Sequence, residues 1–227
     1  MNLDEFKTAF RSLRYEGWIR SLRRGPTGVG HTLEQRLGLS ENNIGHPDLG
    51  EIELKDHRLK TSSLVTLFTF NRKAWKMKPL EAIKEFGTYD ENNRLGMYFT
   101  LSRTPNGQGL FCHLDSQAIS ARHVNGRVVA EWPLEEVMKR FLKKMPALIS
   151  VSAAFEMRGN VEWFKYERAQ FLRGTSVKIL RQQLEEGKVL LDLRLHDAGT
   201  HARNHGTGFR AYENNLPFLF SSVEELE

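Results

Sequence analysis

The sequence predicts an α/β fold with a central mixed β-sheet flanked by helices, and three observations predict it. Runs such as EIELKDH, GMYFTLS, RVVAEW and KVLLDLRLH alternate apolar and polar residues with the two-residue period of half-buried strands. Between them lie stretches with apolar residues at helical spacing, among them KPLEAIKEFG, PLEEVMKRFLKK and TSVKILRQQLEEG. Gly, Pro and Asn clusters punctuate the chain, which has no internal repeats and no low-complexity linker.

In chain order, residues 3–22 read as one amphipathic helix, with Leu3, Phe6, Phe10, Leu13 and Trp18 on its apolar face. GPTGVG breaks it. A second helix begins near Val29, carries Glu34 and stops at Gly38. LSENNIGHPDLG is turn chemistry. EIELKDH and SSLVTLFTF then read as two strands joined by RLKTS into a hairpin. A short helix at KPLEAIKEFG follows. Residues 95–132 read as an antiparallel meander, followed by a helix that starts at Pro133 and a buried strand at ALISVSAAFE. VEWFKYERAQFL reads as a strand passing into a helix. TSVKILRQQLEEG reads as a helix opened by a Thr cap and closed by Gly187. KVLLDLRLH is a strand, and a polar, histidine-bearing segment follows it.

Composition narrows the function classes. A chain of 227 residues that is 40% hydrophobic, with 14 Phe and 4 Trp, buries a sizeable core and is not disordered. No apolar run approaches the roughly 20 residues of a membrane span. The charged amphipathic N-terminus has no signal-peptide pattern, and Cys112 alone offers no disulfide. The expectation is the cytosol of a prokaryotic cell, no membrane partner, and a buried Cys112 rather than a nucleophile. Net charge is +5 and the pI about 9.3, which favours polyanionic partners. The clustering says more than the sum. Arg11, Arg14, Arg20, Arg23 and Arg24 crowd one span, and Arg72, Lys73, Lys76 and Lys78 another, with Trp18 and Trp75 interleaved. A solvated surface carries such charge; so does a surface that tracks phosphates.

The stretch HPDLGEIELKDHR concentrates the chemistry. On an alternating strand Glu53 and Lys55 point the same way, with Asp48 in the turn before them. Glu34, on the preceding helix, is within reach of the same place. Carboxylates gathered closely repel one another, and burial makes each costlier. A divalent cation relieves both problems, and hard carboxylate oxygens suit Mg²⁺. Such a cation makes coordinated water more acidic and steadies charge developing on a phosphate. Lys55 could orient that water or contact the phosphate. The spacing Asp48, Glu53, Lys55 is by itself weak, because salt-bridged surface strands carry it too.

The run GPTGVGHTLEQRLGLSENNIGHPDLGEIELKDHR with SLVTLFTF resembles the catalytic core of the MvaI/BcnI type II restriction endonucleases, which are PD-(D/E)xK nucleases related to the repair nickase MutH. LLDLRLHDAG and HARNHGTGFR resemble that family's DNA-reading segment. The resemblance covers about residues 5–220 and is thin across 76–132. It implies a restriction-endonuclease-like core with a DNA-binding cleft between catalytic and recognition lobes. It implies one nuclease domain over 1–227, with catalytic parts near 1–75 and 147–195 and recognition segments at 76–146 and 196–215. Asp48, Glu53 and Lys55 match the catalytic residues, Glu34 the additional helix carboxylate, and Asp48 with Glu53 the metal ligands. It further implies Mg²⁺, with Mn²⁺ as a substitute. Double-stranded DNA of CC-N-GG type would be the substrate, bound by a monomer with no obligatory protein partner and cut one strand after the other.

HDAGTHARNHGTGFR holds His196, His201, Arg203, His205 and Arg210. Its glycines argue against a helix and no thiol is near, so zinc is disfavoured. A bland polar loop is one reading. Base readout is another, since Arg and His donate to guanine O6 and N7, and the resemblance favours it with Arg210 and His205 first. His57, Arg58 and Arg24 are candidates for phosphate contact, with a plain surface role equally open. Family members reading a central C or G carry histidines where this chain has Thr69 and Gly208, which leans the expected site to CC(A/T)GG. The alternatives are a MutH-like strand-nicking repair enzyme, a DNA-binding module without catalysis, and a structural protein kept soluble by its charge.

Overall fold

The computed structural model describes residues 1–39, 51–59, 64–71 and 73–226. Elements in chain order begin with α1 (Leu3–Glu16), β1 (Ile19–Arg20) and α2 (Gly28–Arg36). β2 (Ile52–Arg58), β3 (Leu64–Thr69), α3 (Pro79–Phe86), β4 (Thr88–Tyr89) and β5 (Leu95–Leu101) follow. Then come β6 (Leu110–Leu114), β7 (Ala118–His123), β8 (Val128–Pro133) and α4 (Leu134–Lys144). β9 (Ala147–Arg158), β10 (Val161–Arg173), α5 (Val177–Glu185) and β11 (Val189–Asp197) come next. β12 (Ala202–Asn204), β13 (Gly208–Tyr212), a 3-10 helix at Glu213–Leu219 and β14 (Ser222–Leu226) complete the order.

The chain divides into two compact units. The first comprises residues 1–65, 142–176 and 216–227; the second comprises 66–141 and 177–215. In the first, a mixed sheet runs β1-β10-β9-β2, with β14 also on β10. β2 lies parallel to β9, whereas β9, β10, β1 and β14 pair antiparallel. One face of this sheet packs Leu54, Ile149, Val151, Phe164 and Tyr166 against Phe6, Phe10 and Leu13 of α1 and Val29, Leu33 and Leu37 around α2. In the second unit, β3-β13-β11-β5-β4 form a sheet with β12 on β11, and β6-β7-β8 form a separate meander. Its aromatic centre is Phe209, stacked 5.0 Å from Phe68 and edge-on to Trp132 at 6.2 Å. The fully buried Trp132 donates to the Phe70 carbonyl at 2.6 Å.

The α/β class holds, and several sequence expectations give way. The 3–22 helix, capped at its start by Asn2 and Glu5, ends at Glu16 because Gly17 turns the chain out at φ 74°. β2 and β3 do not form a hairpin: they belong to different sheets, and β2 finds its partner in β9. Their connection, and the turn chemistry at 40–50, lie outside the described residues. The meander comprises only β6, β7 and β8, since β5 pairs with β11. The mixed sheet is that of the first unit, and the second unit adds a large sheet of its own. ERAQFL does not turn helical. β10 stays extended over 13 residues, because β9 and β14 pair with both its edges and outweigh a weak local propensity. Thr175 does not cap α5; its hydroxyl is buried without a hydrogen-bond partner, and the helix begins at Val177. The polar segment after β11 contains β12 and β13, whose alternation is masked by its Gly, Asn and His residues.

Candidate active site

Alternation along β2 sorts its residues onto two faces. Leu54 enters the core beneath α1 and α2. Glu53, Lys55 and His57 project from the opposite face, where β9 offers Leu148, Ser150 and Ser152 as their register partners. Glu53 is wholly buried, and both its oxygens meet ammonium groups. Lys55 donates to Oε1, and Lys144 Nζ lies 2.8 Å from Oε2. The two lysine side chains remain 24% and 23% exposed. The carboxylate is therefore held at depth, with its positive partners reaching outward to solvent. A buried charge is tolerated only when so compensated.

Arg58, at the end of β2, makes a bidentate pair with Glu162 at 2.6 and 2.9 Å. It also donates to the Pro26 and Gly25 carbonyls at 2.8 and 3.1 Å. Its guanidinium fastens the loop that leads into α2, which fixes the helix bearing Glu34. The G-x-G of GPTGVG has a matching reason. A Cβ on Gly28 would meet the backbone carbonyl of Arg23 in the loop before α2, and one on Gly30 the Asp56 carboxylate of β2, so both glycines sit where chain or side chain approaches closely. Burial holds the Asp56 carboxyl above the usual carboxylate range, against the pull of Lys55, His57 and Arg58. Tyr166, whose hydroxyl donates to the Val29 carbonyl at 2.7 Å, is likewise pushed up by burial and then by Asp56.

Of the expected catalytic set, Glu53 and Lys55 stand together. Glu34 is half-buried on α2. Asp48 lies outside the described residues. Among the described residues no three His, Cys, Asp or Glu side chains gather into a metal cluster. Lys144 was missed. Nothing in its spacing marks it, and only the parallel pairing of Glu53 with Leu148 brings the last turn of α4 to the glutamate. His57 is 7% exposed, Arg58 is committed to the contacts above, and Arg24 is exposed in a groove with Arg20 and Arg23. Burial pushes the Cys112 thiol up to about 12, as suits an inert residue.

The second unit presents a polar sheet face. β11 alternates Leu191, Leu193 and Leu195 inward with Asp192, Arg194 and His196 on the other side. Asp192 is fully buried. It accepts from Thr100 Oγ1 at 2.7 Å and Arg194 Nε at 2.5 Å, and Arg210 Nε lies 2.6 Å away as an ion pair rather than an aligned hydrogen bond. One carboxylate thus holds two arginines side by side, 32% and 19% exposed. Burial lowers the Arg210 pKa from its ordinary value, and Asp192 opposes that shift.

His196 Nδ1 contacts both Tyr98 OH at 3.0 Å and His205 Nε2 at 2.9 Å, with the two imidazoles stacked. Desolvation, then the positive neighbours His196, Arg203 and Arg94, hold His205 below its ordinary pKa. Asn204 Oδ1 accepts from the Gly206 and Thr207 amides, which builds the turn beneath His205. His201 and Arg203 are exposed, and His201 contacts Thr200. Asp192 and Arg194 were missed by reasoning that followed the glycine-rich loop. Their signal was the D-x-R-x-H alternation opposite leucines on a strand already recognised.

Thr69 is exposed at the end of β3. Gly208 is buried against it: a Cβ there would lie 2.7 Å from Thr69 Cα and closer still to the Phe68 carbonyl. The glycine is required by close strand approach. Gly208→Ala is expected to lower stability by about 1–3 kcal/mol, because backbone must move to admit the methyl. Thermal unfolding checks this, and an unchanged Tm contradicts it.

A family profile matched over most of the chain makes it a type II restriction endonuclease, a phosphodiester hydrolase acting on DNA. It belongs to the MvaI/BcnI restriction endonuclease family, whose profile matches residues 7–220. The fold is similar to that of MvaI solved as a complex with its cognate DNA substrate (TM-score 0.82, 23% identity, each chain covered over 100%). It is similar also to MvaI solved in the absence of DNA (TM-score 0.53, 23% identity, 100% of this chain and 99% of that one). No curated protein sequence matches. No helix among the described residues is long and apolar enough to cross a membrane.

Proposed function

We propose that this chain hydrolyses both strands of duplex DNA at CC(A/T)GG, one strand after the other, as a monomer that uses Mg²⁺ and accepts Mn²⁺. The observation that carries the reading is Glu53, buried yet turned with both oxygens toward positive charge. A position built around cations fits a divalent ion, and restriction endonucleases generally use one. Glu53 and Asp48 would hold it, with Glu34 on α2 as a further carboxylate. When bound, such an ion supplies charge stabilisation at the phosphate and a more acidic water. Lys55, at the solvent edge beside Glu53, would place its ammonium on the attacked phosphate's oxygen or orient the nucleophile.

The paired Arg194 and Arg210 on Asp192 support guanine reading, since each guanidinium can donate twice to O6 and N7. His205, His201, Arg203 and Thr69 lie in the same unit as further candidates for the recognition surface. Arg24, beside Arg20 and Arg23, suits phosphate contact. His57, being buried, and Arg58, being committed elsewhere, suit support of the site better than direct phosphate contact. The lean to a central A or T is supported by Gly208, where the packing leaves no space for a histidine. MvaI has been solved with a cognate DNA substrate, and family likeness extends the double-stranded partner to this chain.

One plasmid digest with mapped ends tests the reading. Purified protein with Mg²⁺ alone should give discrete linear fragments ending at CC(A/T)GG. Cleavage only at CC(C/G)GG would overturn the central-base assignment. Inertness or slow single nicks would favour the MutH-like repair role. Specific binding without cutting under any divalent ion would favour a non-catalytic module. Lys55→Ala should retain the fold and DNA affinity while losing cleavage by about 10³-fold or more; native cutting by this variant would remove Lys55 from the mechanism.

A further inference from the structure

The Lys144 ammonium lies 2.8 Å from Glu53 Oε2, although its side chain comes from the last turn of a different element, α4. Glu53 is buried, so in the absence of a metal its charge needs compensation from the protein itself. Lys55 covers Oε1 and Lys144 covers Oε2. A divalent cation taken up at Glu53 would meet an ammonium already on the carboxylate, and two positive charges a few ångströms apart repel. Lys144 can yield. Its side chain is 23% exposed, on a long flexible stem with solvent beside it.

We propose that Lys144 is a resident counter-ion for the cation site. It keeps Glu53 charged and in place before metal arrives, and it is displaced from the carboxylate when metal binds. The inference rests on the reading of Glu53 as a metal ligand and deepens it. Its role is positioning and regulation of affinity: Lys144 sets the cation concentration at which the site fills.

The test is direct Mn²⁺ binding to the full chain without DNA, followed by electron paramagnetic resonance of free Mn²⁺. Lys144→Met and Lys144→Gln are expected to bind Mn²⁺ about tenfold tighter than the native protein, one decade of affinity being about 1.4 kcal/mol. Both should melt lower than native without metal and gain more Tm on adding it. Lys144→Arg, which keeps the charge, and Lys143→Met, which removes its neighbour's, should bind as the native protein does. Native or weaker affinity in both neutral variants would overturn the proposal. Glu53→Gln separates the two readings. If it binds Mn²⁺ as the native protein does, the metal-ligand reading fails and this inference falls with it. If it loses binding while the Lys144 variants are unchanged, the counter-ion alone fails.

A measurement on the native chain needs no variant. Acylation of Lys144 by acetic anhydride, read by mass spectrometry against Lys143, should accelerate when Mn²⁺ is added. An unchanged ratio would overturn displacement.

Discussion

Glu53→Gln is expected to lower DNA cleavage by about 10⁴-fold or more, the scale seen when one member of a cooperating catalytic unit is removed. The substitution keeps the size of the side chain and removes its charge. Lys55 and Lys144, which both converge on that carboxylate, would then confront each other across a neutral amide. Breaking a buried ion pair by removing one partner costs about 3–5 kcal/mol. Here the two ammonium groups are about a quarter exposed and can turn to water, so a loss nearer about 1–3 kcal/mol is expected. Thermal melting without metal should register that loss, and a plasmid assay at saturating Mg²⁺ should register the loss of cutting. Binding to a cognate duplex in Ca²⁺ or without metal should survive. Cleavage within tenfold of native would remove Glu53 from the centre of the mechanism.

The second large effect lies on the sheet of the other unit. Asp192→Asn is expected to weaken binding to the cognate duplex by about 10²-fold, while affinity for unrelated duplex changes little. Each arginine that reads a guanine contributes about 1–3 kcal/mol of discrimination. Asp192 holds Arg194 and Arg210, the arginines proposed for that role, through one buried carboxylate. The amide can no longer pair with both cations, so Arg194 and Arg210 lose their fixed orientation but keep their charges. Non-specific affinity follows charge and its salt dependence follows the number of neutralised phosphates. Titrations of cognate and scrambled duplexes at two salt concentrations should thus show a smaller specificity ratio and an unaltered slope. An unaltered ratio would mean that the two arginines do not read bases. Arg210→Ala should reproduce part of the loss at one base pair and leave the slope nearly unaltered.

The pattern of polar and apolar residues was legible wherever one element faced one environment. Glu53 and Lys55 were placed on a common strand face by alternation alone, and the structure keeps them there. The helices at 28–36, 79–86, 134–144 and 177–185 were legible because their apolar spacing agrees with their stops. Pairing was not legible. β2 followed by β3 looked like a hairpin because a short polar stretch separates them, yet the partner that satisfies β2 is β9, far along the chain. The local sequence of ERAQFL favours a helix, and hydrogen bonding at both edges of β10 overrides it. The DNA-reading candidates were sought in the loop with the most histidines. Arg210 was found there, whereas Arg194 and the carboxylate that joins the two, Asp192, sit on a regular strand at positions that resemble any alternating surface.

The sequence by itself determined the class of fold, the acidic and basic residues of one strand face, and a surface suited to a polyanion. It could do so because alternation, helical spacing and charge clustering are properties of neighbouring residues. Only the tertiary structure decided that Glu53 is buried, that Lys144 shares it with Lys55, and that Asp192 joins Arg194 to Arg210. Those facts depend on which distant segments pair, and pairing is settled by the burial and hydrogen bonding of the whole chain.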